Sequence, residues 1–589
     1  MHHRLAFALA LLFAFPAAPA DEPIPATLRA LAYLGSAEGA RASEDNRQIA
    51  FVTTLFGSRQ AAAMPIDGGY PIQLTAEPGG VQAVRWSPTD SHALVAIALR
   101  EGRHRLLLLD DQGGPAVELD PAPGDQLLGG FTRDGKRVFY ALVEGGKVSV
   151  RQVGIDHARK VTEVTPGAIA QPAPGSPFPA ASPAAADARG KAPAVPPPPT
   201  MAGARRSPPP GGGATTSGPA REPPVPLEEA LQGVAAMGPV SPDGRSLLAQ
   251  TRRGGDEAVW LVDLASARAE TLTPHQGAAR FRLPRWSPDG RTVYLLTDAG
   301  RDTLGVDAIV VGSRERKSVY APGRAVEGFA LTDDGHRLAV AEDANGQTVF
   351  SVLELPGLRA QPLPQPPGGA LQPAPEGEPP LAWTRAGDRL LFAWRQAEDT
   401  TDVFSFRTGF GTTTRLTRSP RPGLPRSGLL RPSAVTLSGA EGRQVPGWIW
   451  RPRHPPRPRL ALLVPGPEDP VRPVLDRNAA VLAAAGIAVL GLNPRGGLRP
   501  PPAQAAADDL AAALRSLRDR GDLDARKPLL VAVGAGAEVA EQLLEREPDA
   551  FSGVAAVDAS RKPKGALEID SSSPSALQEL AKYARERLK

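Results

Sequence analysis

The stretch Trp286-Ser-Pro-Asp-Gly-Arg-Thr-Val-Tyr-Leu-Leu296 is one copy of a unit that recurs along most of the chain. Ser87-Pro-Thr-Asp90 and Ser241-Pro-Asp-Gly244 share its Ser287-Pro-Asp-Gly290 core, and looser copies are Ser43-Glu-Asp-Asn46, Thr132-Arg-Asp-Gly135, Thr332-Asp-Asp-Gly335 and Thr384-Arg-Ala-Gly387. All but the first follow a large apolar or aromatic residue (Trp86, Phe131, Val240, Trp286, Leu331, Trp383), and each precedes an apolar run such as Val293-Tyr-Leu-Leu296 or Leu390-Leu-Phe-Ala393. Asp-Gly supplies the positive φ of a tight turn, and alternating apolar residues predict half-buried antiparallel strands. Successive copies start about 44 to 52 residues apart, except between the third and fourth, and that period is one four-stranded propeller blade. Seven copies predict a seven-bladed β-propeller over residues 21–417.

The irregular gap has its own composition. From Thr165 to Pro226 the chain is rich in Pro, Ala, Gly and Ser, as in Pro196-Pro-Pro-Pro199. Such a segment buries too little apolar surface to offset its ordering entropy, so 165–226 is predicted to be a disordered insertion. It serves as a passive linker or, in polyproline II geometry, recruits a partner. Leu358 to Pro380 is predicted to be a smaller insertion of the same kind.

The chain opens with Met1-His-His-Arg4, an apolar run from Leu5 to Phe15, and Ala18 and Ala20 in an A-x-A pattern. That reads as a signal peptide over 1–20, cut before Asp21, with an apolar run too short to span a bilayer. An exported protein, periplasmic or extracellular, without a membrane span is the expectation. Cys is missing from the 589 residues, which excludes disulfides, thiolate catalysis and Cys-ligated zinc. The net charge of +4 and the scattering of arginines among prolines carry no nucleic-acid footprint. With 41% hydrophobic residues the chain has material for two or more cores.

After Thr417 the pattern changes. A Pro/Arg-rich connector (418–432) leads to strands at Val445–Trp450, Leu460–Val464 and Ile487–Leu492, with a helix at Leu475–Ala485 ended by Gly486. An Ala-rich helix (Ala503–Arg518) and strands at Leu529–Val533 and Val554–Val557 complete an alternating order that implies a doubly wound parallel sheet over 433–589. Within it, Leu530-Val-Ala-Val-Gly-Ala-Gly-Ala-Glu-Val-Ala540 runs strand, Gly-rich turn, helix, the setting of a G-x-S-x-G nucleophile elbow.

The S-P-D-G blades resemble those of prolyl oligopeptidase-family and TolB-type propellers. The second domain is similar to the α/β-hydrolase domain of the prolyl oligopeptidase (S9) family of serine peptidases. The residues that carry this are Gly447-Trp-Ile449, Gly466-Pro467, Gly486-Ile-Ala-Val-Leu490, Asn493-Pro-Arg-Gly496 and Asp508-Asp509. The resemblance implies a Ser-Asp-His triad in that chain order. The chain departs from it. Laid on the motif with Gly534 as first glycine, Gly536 stands where serine belongs and Glu538 replaces the last glycine. The last histidine is His454, upstream of the elbow, and Val464-Pro465 replaces the His-Gly of the family's H-G-G-P. The residues after Val557 read as a polar loop (Asp570–Ser573) and a helix capped by Ser573 with Pro574 at its first position, so a truncated domain is expected.

Substitutes for the triad are poor. Ser438 and Ser552 sit on no elbow, Lys527 and Lys564 would need a separate Ser–Lys geometry, and Glu538 suits a solvent-facing first helical turn. Asp508 and Asp509 are helix neighbours that point apart. The expectation is therefore a pseudo-peptidase with no catalytic, cofactor-binding or metal-binding residues, whose remaining function is binding a peptide or protein. The alternatives are a working hydrolase with a non-standard triad, and a TolB-like propeller scaffold.

Overall fold

The computed structural model describes residues 30–31, 33–156, 158–169, 222–424, 429–466, 469–494, 502–518, 521–559, 561–571, 573 and 575–588. The predicted signal peptide lies outside them, as does most of the predicted insertion.

Seven antiparallel sheets, each built from contiguous sequence, follow one another from Ala37 to Arg415 and form a seven-bladed propeller. The repeat unit explains both the blades and their ring. In five copies the leading hydroxyl bonds the Asp two residues on, as in Ser287 Oγ to Asp289 Oδ1 at 2.5 Å and Thr132 Oγ1 to Asp134 Oδ1 at 2.6 Å. The same carboxylate accepts from the backbone N–H two residues further, Arg291 at 3.0 Å in the copy quoted above. The closing residue takes the left-handed conformation, with φ of 69° at Gly290 and 58° at Asn46. The tryptophan before the turn clasps the preceding blade: Trp86, Trp286 and Trp383 each donate their indole N–H at 3.0 Å to Arg41, Pro239 and Ala330. One motif thus closes a hairpin and joins neighbours, each net hydrogen bond worth about 1 kcal/mol.

The predicted insertion at 358–380 is corrected, and of the one at 165–226 only the ends are among the described residues. Val225–Pro226 pairs with Arg268–Ala269 as a fifth strand of blade 4. Gly167 donates to the Ala265 carbonyl at 2.8 Å, and Ile169, Leu227 and Leu231 share one core cluster. Both ends of 165–226 are therefore anchored on the blades, by single apolar residues that carry no period in the sequence.

Residues 358–380 are blade structure as well. Arg359–Pro362 is the outer strand of blade 6. Gly369–Leu371 and Leu381–Trp383 both pair with Arg389–Gln396, so the inner strand of blade 7 is interrupted by an excursion, residues 372–380. The excursion reaches the inner strands of distant blades. Arg41 of blade 1 donates to Glu378 at 3.2 Å, Arg85 of blade 2 to Glu378 at 2.9 and 2.6 Å, and Arg285 of blade 5 to the Gly377 carbonyl at 3.2 Å. Gly377 lies against Ala236 of blade 4, and Pro380 against Gly328 of blade 6. A short segment touches the innermost strands of five blades by lying across their common axis. It plugs the channel.

The second domain holds a seven-stranded mixed sheet: β1 (Ser433–Ser438), β2 (Gln444–Trp450), β3 (Arg459–Val464), β4 (Ala488–Leu492), β5 (Asp524–Val533), β6 (Gly553–Val557) and β7 (Leu567–Ile569). Their order is β1-β2-β4-β3-β5-β6-β7, with β2 antiparallel to both of its neighbours, β1 and β4, and every other pair parallel. Side chains alternate between faces with period two. Leu460, Leu462, Leu530 and Ala532 face helices α2 (Pro502–Leu517) and α3 (Gly536–Arg546) in one core, while Ala461, Leu463, Leu529 and Val531 face α1 (Arg477–Ala484) and α4 (Ala576–Arg587) in the other. Strands β1 and β7 are additions to the predicted set, β7 because three residues carry no readable alternation. The helix after it starts at Ala576 with Ser575 before it, two residues beyond the predicted cap at Ser573. Ala30, Leu31 and Leu34 belong to this domain's core, so the propeller begins after them.

Candidate functional site between the domains

A cavity of about 1070 Å³ lies between the propeller and the carboxyl edge of the sheet. Ligands of open α/β sheets bind at that edge, beyond the strand ends. Asn345 and Gly346, at a blade 6 turn, fix the two domains together. Trp448 donates its indole N–H to the Asn345 carbonyl at 3.3 Å, and Gly346 abuts Trp448 and Val471. Arg472, after β3, pairs with Glu327 of blade 6, and Leu475 donates to the Gln396 carbonyl of blade 7 at 2.7 Å.

The elbow turn opens into this cavity, but in a register different from the predicted one. Gly534 carries a φ of 55° between β5 and α3 and lines the cavity, the sharp strand-to-helix turn on which a nucleophile sits. Gly536 is already in the helix and buried. A β-carbon there would fall 2.1 Å from the Val464 carbonyl oxygen, whereas one at Gly534 meets nothing within 4 Å. Gly536 therefore serves close helix–strand packing, and the nucleophile position is Gly534, two residues before the predicted one. Neither position carries a hydroxyl.

Asp558, at the end of β6, also lines the cavity with a φ of 48°, and its carboxylate accepts from the Ser571 N–H at 2.7 Å. Among the described residues no histidine lines the cavity. Pro465, where the loop after β3 begins, contributes no N–H donor toward an oxyanion.

The other sequence candidates scatter. His454, Ser438, Lys527, Lys564 and Glu538 are exposed and outside the cavity. Ser552 opens β6 at the opposite end of the strand from the cavity. Asp508 pairs with Arg546 at 2.6 Å, and the buried Asp509 accepts from the Ala440 N–H at 3.2 Å, so the two do point apart.

Charges that the sequence reading passed over concentrate here. Asp476 caps α1, accepting from the Ala479 N–H at 2.8 Å, and burial holds its carboxyl above the usual range. Burial likewise raises Glu327, against the opposing charge of Arg472 and a 2.6 Å bond from Thr348. Arg395 of blade 7 is pushed below its ordinary value by burial and then by Arg472. Isolated arginines in a propeller strand have no pattern that would have singled them out.

No family model matches the chain, and no curated protein sequence does. Solved structures do. A puromycin-hydrolyzing peptidase of Mycobacterium tuberculosis is 16% identical, with a TM-score of 0.65, covering 91% of this chain and 79% of its own. A puromycin hydrolase is 15% identical, with a TM-score of 0.66 over 96% of this chain and 85% of its own. One of two prolyl endopeptidases studied together is 14% identical, with a TM-score of 0.66 over 97% of this chain and 80% of its own. With its propeller of seven blades and its α/β-hydrolase sheet, the chain has the prolyl oligopeptidase fold.

Proposed function

We propose that the chain is an S9-family pseudo-peptidase that binds peptides in the interdomain cavity without cleaving them. The observation that carries the reading is Gly534: the residue on the elbow turn, facing the cavity, has no side chain to attack a carbonyl. The cavity lining supports it, since a histidine to take a serine's proton is missing from the described lining residues. Removing triad members from such an enzyme leaves residual catalysis at most. The N-terminal sequence supports export, with binding taking place in a periplasm or outside the cell.

The test is labelling of the purified protein and of Gly534→Ser with a fluorophosphonate probe. Both stay unlabelled on this reading, because a restored hydroxyl still lacks its base. Labelling of the unmodified protein at one serine would overturn it in favour of a working hydrolase with a non-standard triad.

A further inference from the structure

Two arginines line the interdomain cavity, and each guanidinium has one buried N–H donor that is unused. Among the described residues, Arg395 Nε and Arg472 Nη1 have no hydrogen-bond partner. Arg472 is paired on its other nitrogen with Glu327. Arg395 makes no ion pair among the described residues, although it is half-buried and feels the like charge of Arg472. A desolvated cation without a partner is costly. Placing a second cation within reach raises that cost.

The described carboxylates in the neighbourhood are already engaged or make no ion pair with Arg395. Glu327 is held by Arg472 and Thr348, and Asp476 caps α1. Asp469 and Asp476 act on Arg395 through charge alone, without an ion pair. A planar fork with free N–H groups matches a carboxylate, which accepts two parallel hydrogen bonds. We propose that Arg395, with the free N–H of Arg472, is an anchor for a carboxylate on the bound ligand, supplied by a peptide's C-terminus or by an Asp or Glu side chain. This rests on the peptide-binding reading above and narrows it to acidic or free-acid peptides.

Titration calorimetry with short Pro-containing peptides tests it in three forms: free C-terminal acid, C-terminal amide, and amide with one internal Glu. The free acid binds at least about tenfold tighter than the plain amide, and Arg395→Gln removes that preference. Tighter binding of the Glu-containing amide assigns the anchor to acidic side chains, while a gain confined to the free acid assigns it to the C-terminus. Equal affinities of all three forms overturn the anchor and leave peptide binding standing. If no peptide binds, the peptide reading falls, and propionate alone decides the anchor: it raises the Tm of the unmodified protein but not of Arg395→Gln, and an equal response of the two overturns it. Without ligand, Arg395→Gln melts no lower than the unmodified protein, because it removes an unpaired, half-buried charge.

Discussion

Glu378 of blade 7 accepts two hydrogen bonds from Arg85 of blade 2, at 2.9 and 2.6 Å, across the axis of the propeller. Arg41 pairs with the same carboxylate at 3.2 Å, and Arg285 lies close enough to add its charge. Burial alone would raise the Glu378 carboxyl, but the arginines outweigh it and hold it at about 2.

Glu378→Gln therefore strips three partly buried cations of their counter-charge. Breaking a buried pair from one side costs about 3–5 kcal/mol, and urea unfolding at pH 7 measures it. A loss below about 1 kcal/mol would show that the plug contributes little.

The same group gives a pH dependence of fixed sign. Its folded value lies below the ordinary carboxyl value of 4.5, so its stabilisation is complete above pH 4.5 and is lost as pH falls toward 2. The unmodified protein should lose more stability than Glu378→Gln across that window, and parallel melting curves of the two would contradict it.

The two elbow glycines should separate under substitution. Gly536→Ser drives a β-carbon into the Val464 carbonyl and costs about 2–3 kcal/mol or more. Gly534→Ser enters open space and costs about 1–2 kcal/mol for its left-handed φ. Denaturant midpoints rank them, and the reverse order would return the nucleophile position to Gly536.

Docking of the domains should depend on Gly346. A β-carbon there would stand 2.5 Å from the Val471 carbonyl oxygen and 2.8 Å from Trp448 Nε1. Gly346→Val should leave the blades folded but loosen the interface, seen as faster proteolysis in the connector and a larger radius of gyration. An unchanged scattering profile would argue against that contact as the clamp.

The propeller is legible in the sequence because one turn motif repeats and its chemistry is local: hydroxyl, carboxylate and glycine lie within four residues. The plug is illegible for the opposite reason. Glu378 sits in a Pro-rich run that reads as loop, and its partners Arg41, Arg85 and Arg285 come together only when the ring closes. The elbow is visible as strand, turn and helix, yet Ala532-Val-Gly-Ala-Gly-Ala-Glu538 can be laid on the motif in two registers, and the left-handed turn with the space around each glycine decides between them. The missing serine is readable in either register. Arg395 and Arg472 are invisible until the domains meet, since each is one arginine among many.

The plugged axis sets the traffic of the cavity. With residues from five blades meeting on the excursion at 372–380, the described residues close the channel to through-passage, and a ligand of the proposed kind would enter and leave by the gap between the domains. A conduit with two mouths can pass products forward, whereas a chamber with one door empties at the rate the door swings. On the peptide-binding reading proposed above, residence time is then set by how firmly Gly346 and Arg472 hold the domains together.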